Sequence, residues 1–264
     1  MVPFDRYLAL ALAHFARRKV QVVVLETGIG GRLDSTNFVS APDVCVVTRI
    51  SLDHADMLGH RLQDIAWHKA GILKPGCPAF TPADQQPEVL RTLETEAREV
   101  GCPLVLVDAP TPAAEAAAEA AASAAECARG TQWQQQSRAL AAAALEALGH
   151  RATDHAPGGP PWPCRFEEFA FRSPQRTVVL DGAHNIEGLT VLLAEVRQRR
   201  RRQPPHRSNG PLVAVFGVAR DKEVSAMAAA LAEGVDAVYP VEFTARSAVD
   251  AATVAVSSKP LKAG

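Results

Sequence analysis

Short, nearly unbroken apolar runs, separated by segments of helical spacing, restrict the fold of this chain more than any other feature. The runs fall at residues 21–25 (QVVVL), 43–50 (DVCVVTRI), 77–80 (CPAF), 103–107 (PLVLV), 176–180 (RTVVL), 212–217 (LVAVFG) and 235–239 (VDAVY). They have strand length but no polar alternation, the pattern of strands buried on both faces of a parallel sheet. Between them, residues 4–18, 62–72, 87–100, 137–148, 188–196 and 224–232 repeat their apolar positions with helical spacing. Alternation of this kind predicts an α/β fold.

The chain has 264 residues, enough for one large or two modest domains. The segment 156–163, APGGPPWP, reads as a linker between a first domain at 1–156 and a second at 157–264. The stretch 111–126, TPAAEAAAEAAASAAE, favours helix but has almost nothing large to bury. It reads as a low-complexity insert or a surface helix.

A net charge of -1 argues against a nucleic-acid surface or an electrostatic membrane anchor. No apolar stretch approaches the ~20 residues of a membrane span, and the basic residues near the start follow the apolar run, unlike a signal peptide. The arginine run at 199–202 reads as a solvated helix end, with an anion patch as the alternative. The five cysteines are scattered, odd in number and without a CxxC pair, so reduced thiols in the cytoplasm are expected.

Polar residues follow the apolar runs. Glu26 follows 21–25 and precedes the turn Gly28-x-Gly30-Gly31. His54 follows 43–50, Asp181 and His184 follow 176–180, and Arg220, Asp221 and Lys222 follow 212–217. In parallel sheets the carboxyl ends of strands are where ligands bind. Glu26 and His54 suit a hard divalent ion whose shell water or phosphate would complete. The alternatives are a carboxylate capping the glycine turn and a loop histidine bonded to Asp53 or Asp56. Lys69 lies near a helix end, where a lysine ordinarily sits in solvent and complements the dipole. The GxGG turn lacks both the full GxGxxG spacing and a P-loop lysine, so it indicates only a sharp turn or a close backbone approach.

Taken in order, LETGIGGRLDSTN (25–37), SLDHADMLG (51–59), HKAGILKPG (68–76), WPCRFE (162–167), LDGAHNIEG (180–188) and FGVARDK (216–222) resemble folylpolyglutamate synthase and dihydrofolate synthase, of the Mur ligase superfamily. The resemblance covers residues 4–106 and 162–246. It implies part of a central ATPase domain, a mostly parallel sheet with flanking helices, followed by a smaller Rossmann-like domain. It implies ATP as co-substrate and Mg2+, with L-glutamate joined to the carboxylate of folate or dihydropteroate through an acyl phosphate. By this resemblance Glu26 and His54 are Mg2+ ligands and Lys69 is the lysine modified to a carbamate. Arg165 and Asp181 hold ATP, Asp181 at the ribose, and His184 is a catalytic candidate facing the phosphates. A monomer with small-molecule partners is expected, without nucleic acid or membrane; a mitochondrial or plastid form stays open.

The sequence also departs from the family pattern. The family's glycine-rich loop ending in Gly-Lys-Ser precedes the first motif, and no such loop occurs here. Gln135-Gln136-Ser137-Arg138 stands where a His-Gln motif and an adenine-contacting asparagine are expected, and Cys164 replaces the glycine before the arginine. These departures lead to the expectation of a ligase truncated at both ends and nearly inactive, with a non-catalytic remnant as the alternative. A cell-wall Mur ligase is a further alternative.

Overall fold

The computed structural model describes residues 3–108, 131–150, 162–172, 175–202, 210–219 and 222–242. The alanine-rich stretch at 111–126, most of the 156–163 segment, and Arg220 and Asp221 lie outside the described residues. The chain divides into two compact units, Met1–Gly158 and Gly159–Gly264.

The first unit begins with helix α1 (Pro3–Arg18) and continues through a 3-10 turn (Ser35–Phe38), strand β1 (Cys45–Val46), α2 (Ala55–Leu58), α3 (Leu62–Ala70), β2 (Ala79–Pro82), α4 (Pro87–Val100), β3 (Leu104–Val107) and α5 (Gln132–Ala147). The strands form a parallel sheet in the order β1-β2-β3. Helix α4 shows how sequence sets an element. Proline stands at its first turn, where no amide partner is lost, and Gly101 ends it in the left-handed region (φ 70, ψ 36). Its buried stripe, Val89, Leu93 and Ala97, repeats every four residues and enters the core beside Ile65, Leu73 and Val47. Each of the larger side chains contributes about 1.5–3 kcal/mol by leaving water. Helix α5 starts with a reciprocal cap between Thr131 and Gln134.

Cys45, Cys77 and Cys102 are free thiols buried in this core. Burial, then the neighbouring Cys77, pushes the Cys45 thiol up to about 12. It stays protonated and donates to the Ile72 carbonyl at 3.2 Å.

The apolar run at 21–25 is not a strand. It lies unpaired, with Val22 66% and Val24 89% exposed. Hydrophobicity alone does not make a strand without a ladder to join, and β1 pairs only with β2 among the described residues.

The segment that follows is held firmly. Asp34 accepts from the amides of Ile29 and Thr36, both at 2.9 Å, and from the Thr36 hydroxyl at 2.6 Å. The Arg32 amide donates to the His68 carbonyl at 2.7 Å, and its guanidinium reaches the Trp67 carbonyl, Glu96 and the Trp67 ring. Asn37 donates to the carbonyls of Arg32 and Gly71, both at 3.1 Å, and accepts from Lys74. This knot fastens the glycine turn to the end of α3. The contact is so close that a Cβ on Gly71 would collide with the Arg32 Cα.

In the second unit, β4 (Glu167–Arg172) and β5 (Gln175–Leu180) pair antiparallel, from Glu167 opposite Leu180 to Arg172 opposite Gln175. This corrects the parallel strand expected at 176–180. The partner went unread because Phe169 and Phe171 alternate with Glu168 and Ala170, a two-residue period rather than a continuous apolar run. Strands β6 (Val213–Phe216) and β7 (Ala237–Pro240) are parallel. Helices α6 (Ile186–Arg202) and α7 (Val224–Gly234) bury Leu189, Leu193, Met227 and Leu231 with Phe216 and Val218. The Asn185 side chain caps α6 by accepting from Gly188 at 2.8 Å. Arg199 bonds to Glu195 and Glu168, so the arginine run begins as the last turns of a helix.

Two substitutions test the knot. G71A is expected to cost about 3 kcal/mol of unfolding free energy, because a backbone rather than a flexible side chain occupies the space. D34A is expected to cost about 1–2 kcal/mol. Burial alone would raise the Asp34 carboxyl, but the bonds from Thr36, Ile29 and Gly28 outweigh it and hold it below its ordinary 3.8. Its contribution is therefore full above about pH 4 and disappears as pH falls through the lowered value. Denaturant unfolding at neutral and acid pH checks both.

Candidate active site

A cavity of about 230 Å³ opens where the glycine turn meets the segment leaving β1. Thr27, Gly28, Ile29 and Gly30 form one wall, and Arg49, Ser51, Asp53, His54 and Lys69 supply its polar groups. Gly30 is required there. Its φ is +69, and a Cβ would lie 2.9 Å from Leu58.

His54 adopts the left-handed conformation (φ 51, ψ 38) just before α2. A non-glycine residue held there is a local cost that surrounding structure must sustain, and such positions concentrate at functional sites. Asp53 Oδ1 accepts from the His54 amide at 2.8 Å, so that bond engages the backbone and not the ring. Lys69 sits in the last turn of α3, but it is half-buried and lines the cavity. Burial lowers its pKa below the ordinary 10.5, partly opposed by the Asp53 charge. Glu26 is exposed and does not line the cavity, although its neighbour Thr27 does. His54 and Lys69 are thus brought together, and Glu26 stands outside.

Among the described residues no three His, Cys, Asp or Glu side chains converge as a ready metal site. The cavity offers one carboxylate, Asp53, and one imidazole, His54. Mg2+ usually takes one or two protein carboxylates and fills its shell with water and phosphate. Arg49 and Lys69 against the single carboxylate Asp53 make a bare cation unwelcome. The donor set fits an ion that arrives with a phosphate-bearing ligand.

The second unit gathers the other expected residues around one loop. Both Asp181 oxygens hold backbone amides, Oδ2 from Phe166 and Oδ1 from Ala183, each at 2.8 Å. The Gly182 amide donates to the Cys164 carbonyl at 2.9 Å. Cys164 and Phe166 are both left-handed (φ 56 and 52), which brings Arg165 over Gly182, so close that a Cβ there would lie 2.8 Å from its guanidinium. His184 Nδ1 lies 2.8 Å from the Gly182 carbonyl. Arg165, Asp181 and His184 therefore share one loop cluster. Lys222 is described, but its neighbours Arg220 and Asp221 are not.

Sequence reasoning did not select Arg49, Ser51 or Thr27, and it treated Asp53 only as a partner for His54. Ser51 and Asp53 share the motif that carries His54, which was the available signal. Arg49 had none, being one polar residue within an apolar run.

Residues 164–262 match the family model "Mur ligase, glutamate ligase domain". The folylpolyglutamate synthase of Lacticaseibacillus casei is 29% identical over 98% of this chain and 63% of its own length. The dihydrofolate synthase/folylpolyglutamate synthase of Bacillus subtilis is 34% identical over 83% of this chain and 53% of its own. The crystal structure of Mycobacterium tuberculosis folylpolyglutamate synthase complexed with ADP and AMPPCP superposes with a TM-score of 0.78 at 26% identity, covering 98% of this chain and 60% of that one. The chain thus carries a match to the Mur ligase glutamate ligase domain over 164–262 and is similar to folylpolyglutamate and dihydrofolate synthases, spanning 53–63% of the length of these two curated relatives.

The cost of burying Lys69 is measurable. The unfolded chain keeps the lysine proton at pH values where the folded amine has released it, so this contribution to stability rises with pH up to the ordinary 10.5. At neutral pH, K69M is expected to raise the thermal midpoint by about 2–4 °C, the advantage shrinking as pH approaches 10.5. Thermal scans across that range check it.

Proposed function

We propose that the chain supplies the working parts of an ATP-dependent ligase that joins L-glutamate to the carboxylate of folate or dihydropteroate. The observation that carries this reading is the single cavity in which a glycine turn, Asp53, His54 and Lys69 meet. It suits phosphoryl transfer, where catalysis is mostly positioning and charge stabilisation. The acid substrate would be activated as an acyl phosphate, and the glutamate amine would then displace the phosphate.

Glu26 and His54 are proposed as Mg2+ ligands, with Asp53 beside them. Bound there with ATP, the ion would offset negative charge on the transferring phosphoryl group. Lys69 is proposed to carry the carbamate. Its neutral amine would attack carbon dioxide, form a C–N bond and release a proton, converting a cation into an anion. Burial favours the neutral amine that this step needs. In the second unit Arg165 and Asp181 are assigned to ATP, with Asp181 using lone pairs left beside its two backbone bonds. His184 is assigned to the phosphate side. The domain boundary is placed at 156/157, and the protein is taken to act as a monomer on small molecules. No helix among the described residues is long and apolar enough to cross a membrane.

The test is ATP-dependent incorporation of labelled L-glutamate, with folate and dihydropteroate in parallel. Incorporation with either acid, reduced at least ~100-fold in K69A, is the expected result. No ATP-dependent incorporation with either would overturn the reading in favour of a non-catalytic chain.

A further inference from the structure

Arg49 is a charge of the cavity held by several hydrogen bonds, and the assignments above leave it without a role. Its backbone is clamped on both sides by one side chain. Gln85 accepts from the Ile50 amide at 3.0 Å and donates to the Thr48 carbonyl at 2.9 Å, while its nitrogen also meets Thr81 Oγ1 at 3.1 Å. Gln85 thereby continues the ladder beyond the two residues of β1. The guanidinium is fixed as well. Nε donates to Gln136 Oε1 at 3.3 Å, one terminal nitrogen donates to the Asp84 carbonyl at 3.1 Å, and the other to the Asp84 carboxylate. Asp84 in turn accepts from Gln136 at 2.6 Å. Residues after β1, after β2 and on α5 thus converge on one planar cation.

A guanidinium has five N–H donors. Three are used here, which leaves one on each terminal nitrogen. The Asp84 side chain is 51% exposed, so water weakens its cancellation of the Arg49 charge. The cavity beside it contains Lys69 and a single carboxylate, Asp53. A guanidinium held rigid before any ligand arrives loses little freedom on binding, and each remaining N–H can donate to one carboxylate or phosphoryl oxygen.

We infer that Arg49 is an oxyanion-binding residue of this cavity, presenting one of its remaining N–H donors to a substrate oxyanion. The chemistry is shared by the phosphoryl groups of the nucleotide and the carboxylate that accepts phosphate. The inference rests on the ligase reading of the same cavity. Ser51 and Thr27 add hydroxyls to the same lining, but neither is fixed in this way.

The full chain, R49Q and R49K are titrated by calorimetry with AMPPCP plus Mg2+ and, separately, with folate. R49Q is expected to weaken one ligand by about 10–100-fold and R49K by less, since lysine keeps the charge but lacks the fixed planar donors. Loss confined to AMPPCP identifies a phosphoryl contact, and loss confined to folate a carboxylate contact. Affinities within about twofold of wild type for both ligands would overturn the role of Arg49 alone. A wild-type chain that binds neither ligand would overturn the ligase reading and this inference with it. Should R49Q lack a thermal unfolding transition, phenylglyoxal modification of the wild-type chain, followed by peptide mass, replaces it. Protection of Arg49 of about fivefold or more by either ligand, with the exposed Arg61 unaffected, supports the contact, and an unchanged rate for Arg49 overturns it.

Discussion

The first unit depends on the backbone of Arg32 lying directly against Gly71. Only a residue without a side chain permits the approach, and only a sharp turn can deliver the chain to it. From this one contact the Arg32 amide caps the end of α3, its guanidinium spreads over Trp67 toward Glu96, and Asn37 ties both strands of the approach together. The glycine turn and the lysine-bearing helix are consequently fastened to each other. A cavity wall and the helix that carries Lys69 are fixed to each other before any ligand is present, which is the arrangement that positional catalysis requires. Much of the motif that looked like ligand chemistry is, in its second half, this fastening.

Helix α4 was legible because proline, a four-residue apolar stripe and a terminal glycine all indicate the same element. The segment at 21–25 was misread because composition reports what a residue would bury, not whether a neighbouring strand stands ready to pair. Strand β5 was found but expected to be parallel, since its antiparallel neighbour lacks a continuous apolar signature. Among the site residues, His54 and Lys69 line one cavity, while Glu26 stands outside it. Arg49 was invisible because its partners Asp84 and Gln136 lie 35 and 87 residues away, and long-range pairing of that kind leaves no local trace.

The two residue clusters differ in how they are built. The first is a cavity whose charges face inward. The second is a loop in which Asp181 already spends a lone pair of each oxygen on the backbone, so it shapes the turn whatever else it binds. Residues that serve both roles are costly to replace, because substitution alters the loop before it alters any contact. The two left-handed residues flanking Arg165 show the same economy: the backbone is bent so that one side chain is aimed.

The three core thiols have an experimental consequence. Cys45, Cys77 and Cys102 are buried at the starts of the parallel strands, and Cys45 cannot form thiolate at neutral pH. Burial keeps alkylating reagents from all three, so these positions become reactive only when the sheet opens. Cys164, exposed in the other unit, reacts without any opening. The molecule therefore contains its own clock. Peptide-resolved alkylation times the breathing of the first unit against an internal reference in the second, with no label introduced.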